Sequence, residues 1–189
     1  MKIKFKEQKF QLDAVQSIVD CFRGQINEYS RFTLDRGRTK IELEGQAYLI
    51  YEEGFKNKSI VAPKADVFKN IKKVQLENGL KPSGKLEGKY NLTIEMETGT
   101  GKTYTYIRTM YELFGAYGWS KYIIVVPSIA IREGVYKSFQ MTEEHFMNIY
   151  GTKIRYFIYN SKDLYKIDQF ASDPGINVMI INSQAFNAR

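Results

Sequence analysis

At 189 residues the chain has room for one domain with a sizeable core, and its 43% apolar and 26% charged content is that of an ordinary globular protein. No apolar run approaches the roughly 18 residues a membrane span needs. A single cysteine, Cys21, and a single histidine, His145, rule out an internal disulfide framework and leave a Cys/His zinc centre almost without ligands. The net charge of +7 suits a polyanionic partner such as nucleic acid without requiring one. The amino terminus, "MKIKFKEQKF", alternates lysine with hydrophobic residues and has no continuous apolar stretch of the signal-peptide kind, so the chain reads as cytoplasmic, with no membrane partner.

The first predicted element is a helix through "FQLDAVQSIVDCFRG", where Leu12, Val15, Ile18, Val19 and Phe22 recur at helical spacing and Gly24 stands where a C-cap is useful. Cys21 lies on it as a small buried hydrophobe. Residues 31–90 are less regular. "TKIELEGQAYLIY" alternates like a strand, "APKADVFKNIKKVQLENG" is a short helix, and "GLKPSGKLEGKYN" is a lysine-rich loop. A structureless loop of that length is unusual, so 31–90 is expected to be a small embellishment with its own hairpin or helix.

From Asn91 the pattern becomes regular. "LTIEM" is a strand, a glycine loop follows, and a helix from Lys102 to about Tyr117 carries Ile107, Met110, Phe114 and Tyr117 on one face. The strand "YIIVV", a turn at Pro127 and a helix through "IAIREGVYKSF" come next. A further helix, "EEHFMNIYG", holds His145 as a surface residue and precedes the strand "IRYFIYN"; a last helix, "KDLYKIDQFAS", precedes the strand "INVMIIN". Apolar strands alternating with helices predict an α/β fold around a parallel sheet covered on both faces.

The stretch "EMETGTGKTY" lies between the first of these strands and its helix. Glycines there let successive N–H groups converge on an anion, and the helix amino terminus adds a favourable dipole. This is the pattern of a Walker A loop, in which a lysine reaches the β- and γ-phosphates and a hydroxyl ligates Mg²⁺. Lys102 and Thr103 hold those places as the catalytic pair, Thr103 as the metal ligand. Gly99 and Gly101 form the turn, and Thr98 and Thr100 contribute backbone donors. Met96 stands where the consensus begins with glycine. Downstream, Ser128 can cap the helix after "YIIVVP" and leave N–H groups for a nucleic-acid phosphate, with Arg132 adding charge or pairing with Glu133.

"TIEMETGTGKTY" and "IIVVPSIAIREGV", followed by "VMIINSQAFN", resemble the motor region of the restriction (Res) subunits of type III restriction–modification enzymes, members of helicase superfamily 2. The dense match covers about residues 91–188, and "KFQLDAVQSI" resembles the family's upstream glutamine motif more loosely. The resemblance implies a RecA-like P-loop fold, ATP and Mg²⁺ as cofactors, double-stranded DNA as the track and a methyltransferase (Mod) subunit as partner. It makes Gln11 a candidate adenine reader beside a stacking Phe10, and gives Ser128 and Arg132 a DNA-binding role. On the same reading, 1–189 is a single partial helicase domain 1. The acidic box of motif II, the second RecA-like lobe and the nuclease domain are missing from it, and Asp163, Asp168 and Asp173 stand in the wrong places to replace the acidic box. The parent is then an ATP-dependent deoxyribonuclease, and this piece binds nucleotide and DNA weakly without turning ATP over. The alternatives are another superfamily 2 helicase or repair translocase, and a nucleotide-independent DNA-binding module.

Overall fold

The computed structural model describes residues 5–34, 40–43, 46–49 and 52–186; residues 1–4 of the lysine-rich amino terminus and 187–189 lie outside them. Helix α1 (Lys9–Cys21) is followed by strands β1 (Tyr29–Leu34), β2 (Lys40–Leu43), β3 (Gln46–Leu49) and β4 (Glu52–Asn57), then helix α2 (Lys64–Glu77). Helix α3 (Lys102–Tyr117), strand β5 (Lys121–Val126), helix α4 (Ile129–Tyr150), strand β6 (Arg155–Ile158), helix α5 (Leu164–Ser172), strand β7 (Asn177–Asn182) and a 3-10 turn (Ser183–Phe186) complete the order.

The α/β class holds: β5, β7 and β6 form a parallel sheet in that spatial order, with Val126 opposite Asn182 and Ile158 opposite Ile180. One face carries Tyr122, Ile124, Val126, Val178 and Ile180 into a core built by Ile107, Met110 and Tyr111 of α3 and Val135, Phe139 and Phe146 of α4. A second core joins α1, α2 and α3 through Cys21, Phe22, Val67, Ile71, Leu113, Tyr117 and Trp119. Asn57, the last residue of β4, locks this side to the sheet. Its Oδ1 accepts from the N–H groups of Ser120 and Lys121, each at 2.8 Å, and its Nδ2 donates to the Lys121 carbonyl at 2.7 Å.

Four expectations need correction. "LTIEM" is not a strand: residues 91–97 pair with no ladder, and Leu92 and Ile94 are exposed. Alternation shows which side chains favour burial, but a strand forms only where its backbone pairs with a neighbouring edge, and residues 91–97 pair with none of the described strands. The helices expected at "IAIREGVYKSF" and "EEHFMNIYG" are one 22-residue helix. Across the supposed break Thr142 is buried and its hydroxyl bonds back to the Ser138 carbonyl at 2.8 Å, which satisfies it without ending the helix. The sheet is not covered on both faces. α5 packs Phe170 against Phe157 on the second face, but Ile123 and Val125 of β5 remain 56% and 54% exposed. Finally, "TKIELEGQAYLIY" is two antiparallel strands, β2 and β3, with Leu43 opposite Gln46; residues 39, 44–45 and 50–51 of that stretch lie outside the described ones. β1 and β4 pair antiparallel as well.

Candidate functional site: a glycine loop at the start of α3

α3 begins at Lys102, and its N-cap is Gly101, with φ at 86° in the left-handed region. Gly99 has φ at 82°. Two left-handed glycines with one residue between them fold the loop tightly and leave the helix's first N–H groups without intrahelical partners, which is the arrangement that receives an anion. The Thr100 hydroxyl closes the turn from within, donating to the Glu97 carbonyl at 2.6 Å. Lys102 folds back over the loop, and its Nζ donates to the carbonyls of Met96 at 3.0 Å and Glu97 at 2.9 Å. The ammonium therefore already sits over the loop, held by carbonyls it can exchange for phosphate oxygens.

Gln11 reaches the same loop from α1. Its Nε2 donates to the Thr100 carbonyl at 2.8 Å, and the residue is only 9% exposed. A Cβ on Gly101 would stand 2.5 Å from that Nε2, so the glycine gives room to the glutamine as well as supplying the turn. Phe10, next to it, is half exposed. The structure thus brings Gln11, Thr98, Gly99, Thr100, Gly101, Lys102 and Thr103 together, although Gln11 is 89 residues from Thr100 in sequence.

For a divalent cation, the residues at hand are few. Among the described residues no group of three or more His, Cys, Asp or Glu side chains comes together. The Thr103 hydroxyl lies one residue into α3, beside the hydroxyl of Tyr106. Burial raises the Tyr106 phenol and its Thr103 neighbour opposes this, but the Tyr106 hydroxyl makes no geometrically sound hydrogen bond. One hydroxyl beside a phosphate cradle fits Mg²⁺, which keeps much of its water and takes few protein ligands.

Ser128 and Arg132 stand elsewhere, at the carboxyl end of β5. Ser128 is the N-cap of α4, its Oγ accepting from the Ile131 N–H at 3.3 Å. Arg132 is paired with the neighbouring Glu133 at 2.9 Å. The 3-10 turn that begins at Ser183 follows β7, and because Val126 and Asn182 are opposite each other, it leaves the strand end adjacent to the one that leads to Ser128. Asp163 pairs with Lys166, and Asp173 binds Arg155 and Asn177, so both are occupied in local structure.

Sequence reasoning missed a polar cluster just below the loop. The Tyr104 hydroxyl meets His145 Nε2 at 2.9 Å, and Arg108 donates to Tyr104 at 3.2 Å and to Glu7 at 2.7 Å. Tyr150 donates to Glu112 at 2.6 Å. His145 is therefore not a plain surface residue. Burial lowers its pKa, Glu7 opposing and Arg108 reinforcing the shift. The available signal was Arg108 itself, a charge on the helix face that Tyr104 and Tyr111 bury.

A family model described as "Type III restriction enzyme, res subunit" matches residues 5–189. The chain is similar to the EcoPI Res subunit of Escherichia phage P1, 37% identical over 99 residues, covering 50% of this chain and 10% of the relative. It is similar to the EcoP15I Res subunit of Escherichia coli, 32% identical over 142 residues, or 65% of this chain and 14% of the relative. A third likeness is to the StyLTI Res subunit of Salmonella typhimurium, 41% identical over 80 residues, 41% of this chain and 8% of the relative. The matches therefore span only a small fraction of these relatives' length.

Proposed function

The chain belongs to the Res-subunit family of type III restriction enzymes, and on that premise we propose that it is the ATP-binding lobe of an ATP-dependent DNA translocase within such an endonuclease. The observation that carries the reading is the loop: two left-handed glycines, a helix amino terminus and an overlying lysine, with Gln11 docked on Thr100. Lys102 exchanges its two carbonyl partners for the β- and γ-phosphates, and the backbone N–H groups of Gly99 to Thr103 surround the same charge. Mg²⁺ would be held by the Thr103 hydroxyl and, when bound, supplies charge neutralisation between the phosphates. Gln11 gives one N–H to Thr100 and keeps a second N–H and its carbonyl, a pair that matches the adenine edge and opposes that of guanine. Phe10 offers its exposed ring for stacking.

Residues 31–90 are an embellishment of this lobe: their hairpins and α2 stand outside the parallel sheet and attach to it through Asn57 and the second core. Duplex DNA is the track, met by the α4 amino terminus at Ser128 and by Arg132 once it leaves Glu133, and the partner is a methyltransferase subunit that reads sequence. Turnover requires more than this lobe holds. Beyond a phosphate cradle, phosphoryl transfer needs a metal held from two sides, a positioned water and positive charge on the moving group, and Lys102 with Thr103 supplies the cradle alone.

Mg-ATP titration with a thermal melt tests the reading. Nucleotide at about 100 times its Kd stabilises the fold by about 2.7 kcal/mol. Lys102→Ala removes a charge-assisted contact of about 1.5–3 kcal/mol and most of that shift. An unshifted melt at millimolar Mg-ATP, the same in both proteins, would favour the nucleotide-independent DNA-binding module instead. Phosphate release stays at the Lys102→Ala level with or without duplex DNA; a DNA-stimulated rate lost in that variant would overturn the no-turnover part.

A further inference from the structure

The Gln11 contact with Thr100 is the far end of a longer attachment. The segment before α1 lies along α3. The Phe5 ring lies 6.0 Å from that of Tyr104 and 5.0 Å from that of His145. Glu7, two residues on, accepts from Arg108 Nη1 at 2.7 Å. The Arg108 side chain is only 10% exposed, while the Glu7 side chain is 44% exposed, so the arginine is the buried anchor and the glutamate is the group that docks on it. Arg108 Nε is buried without a hydrogen bond, with Glu112 Oε1 4.0 Å away. A guanidinium this desolvated is costly to leave unpaired, which gives the Glu7 contact a strength that an exposed surface pair lacks.

From Glu7 the chain passes through the extended N-cap Gln8 and enters α1. The Leu12 N–H donates to the Gln8 carbonyl at 3.2 Å, and Gln11 lies on the first turn. The Glu7–Arg108 pair just before α1 and the Gln11–Thr100 bond in its first turn thus tie the start of α1 to two points of the loop-and-helix unit. We infer that Glu7 and Arg108 are positioning residues for nucleotide selection: the pair fixes where α1 begins, and thereby holds the Gln11 amide at the height of the nucleotide loop. Without it α1 stays attached through its buried Val15 and Cys21 face, but its amino-terminal turn is free to fray, and Gln11 leaves the loop. The inference rests on the reading of Gln11 as the adenine-contacting residue.

The experiment compares equilibrium binding of fluorescent ATP and GTP analogues to this chain and to Gln11→Ala, Glu7→Gln, Arg108→Gln and the exchanged pair Glu7→Arg with Arg108→Glu. A melting curve of each variant reports folding separately. Glu7→Gln is expected to narrow the ATP-over-GTP ratio by roughly three- to tenfold, the loss of one buried hydrogen bond to the base. It should match Gln11→Ala and add nothing to it in the double variant, and the exchanged pair should restore the ratio at least in part. Should Arg108→Gln fail to fold, Glu7→Gln still decides, because it leaves the arginine in place. Equal losses of ATP and GTP binding in Glu7→Gln, with the ratio intact, make the pair merely structural and overturn the inference while sparing Gln11. A ratio unchanged in Gln11→Ala overturns both.

Discussion

Gly101→Ala and Gly99→Ala are a matched test of the site's construction. Both residues have left-handed backbone, φ 86° and 82°, where an alanine costs about 1–2 kcal/mol. Around Gly99 a new Cβ meets nothing within 4 Å, so that strain is the whole cost. At Gly101 the Cβ would stand 2.5 Å from Gln11 Nε2, the end of a flexible side chain, so the clash is relieved by moving Gln11 and giving up its 2.8 Å bond to Thr100. That adds about 0.5–1.5 kcal/mol, for a total of about 1.5–3.5 kcal/mol. Urea denaturation of both variants measures the difference, and repeating it in a Gln11→Ala background isolates the cause, because the extra cost should vanish there. If Gly101→Ala is no more destabilising than Gly99→Ala, or the excess survives without Gln11, then Gln11 does not occupy the place assigned to it.

Asn57→Ala strips three hydrogen bonds from residues 120 and 121 and leaves the buried Ser120 N–H without a partner; a loss of about 2–4 kcal/mol in urea denaturation is expected, and under 1 kcal/mol would refute the clamp. Lys121, half-buried, donates to the carbonyls of Asp173 and Gly175, and burial lowers its pKa from 10.5 to about 8, with Asp173 opposing and Arg155 reinforcing. Above pH 8 the unfolded chain holds a proton the folded one has released, so this residue makes stability rise with pH up to about 10. Lys121→Met should lack the rise, and a pH-independent gap between the two urea midpoints would count against the burial reading. Duplex DNA binding, followed by anisotropy, should be indifferent to sequence and fall steeply with salt, and Arg132→Ala should shallow the salt slope by about one; binding that persists at high salt would remove the phosphate contacts proposed at α4.

The loop was legible because its chemistry is local: glycines, a lysine and a hydroxyl within five residues fix a turn and a helix start whatever surrounds them. Gln11 was legible only through resemblance, since nothing in helical periodicity says that a polar residue on α1 meets a loop 89 positions away. The Glu7–Arg108 pair was hidden for the same reason, being 101 residues apart. Periodicity found the parallel strands β5, β6 and β7, whose apolar runs have neighbours to bury them. It failed at residues 91–97, where the same kind of signal pairs with no strand, and at α4, where polar Gln140 and buried Thr142 imitate a break although no proline or glycine stands there.

The outer edge of β5 bears on the chain's colloidal behaviour. Among the described strands β5 pairs on one side only, and next to its open edge Ile123 and Val125 stand in water on the uncovered face, a template on which a second copy's backbone can add. A net charge of +7 keeps copies apart at low ionic strength, and salt screens that repulsion over a Debye length of about 10 Å at 0.1 M. Salt therefore acts twice on the same sample, loosening polyanions while letting strand edges meet, and a titration that turns cloudy reports the second process.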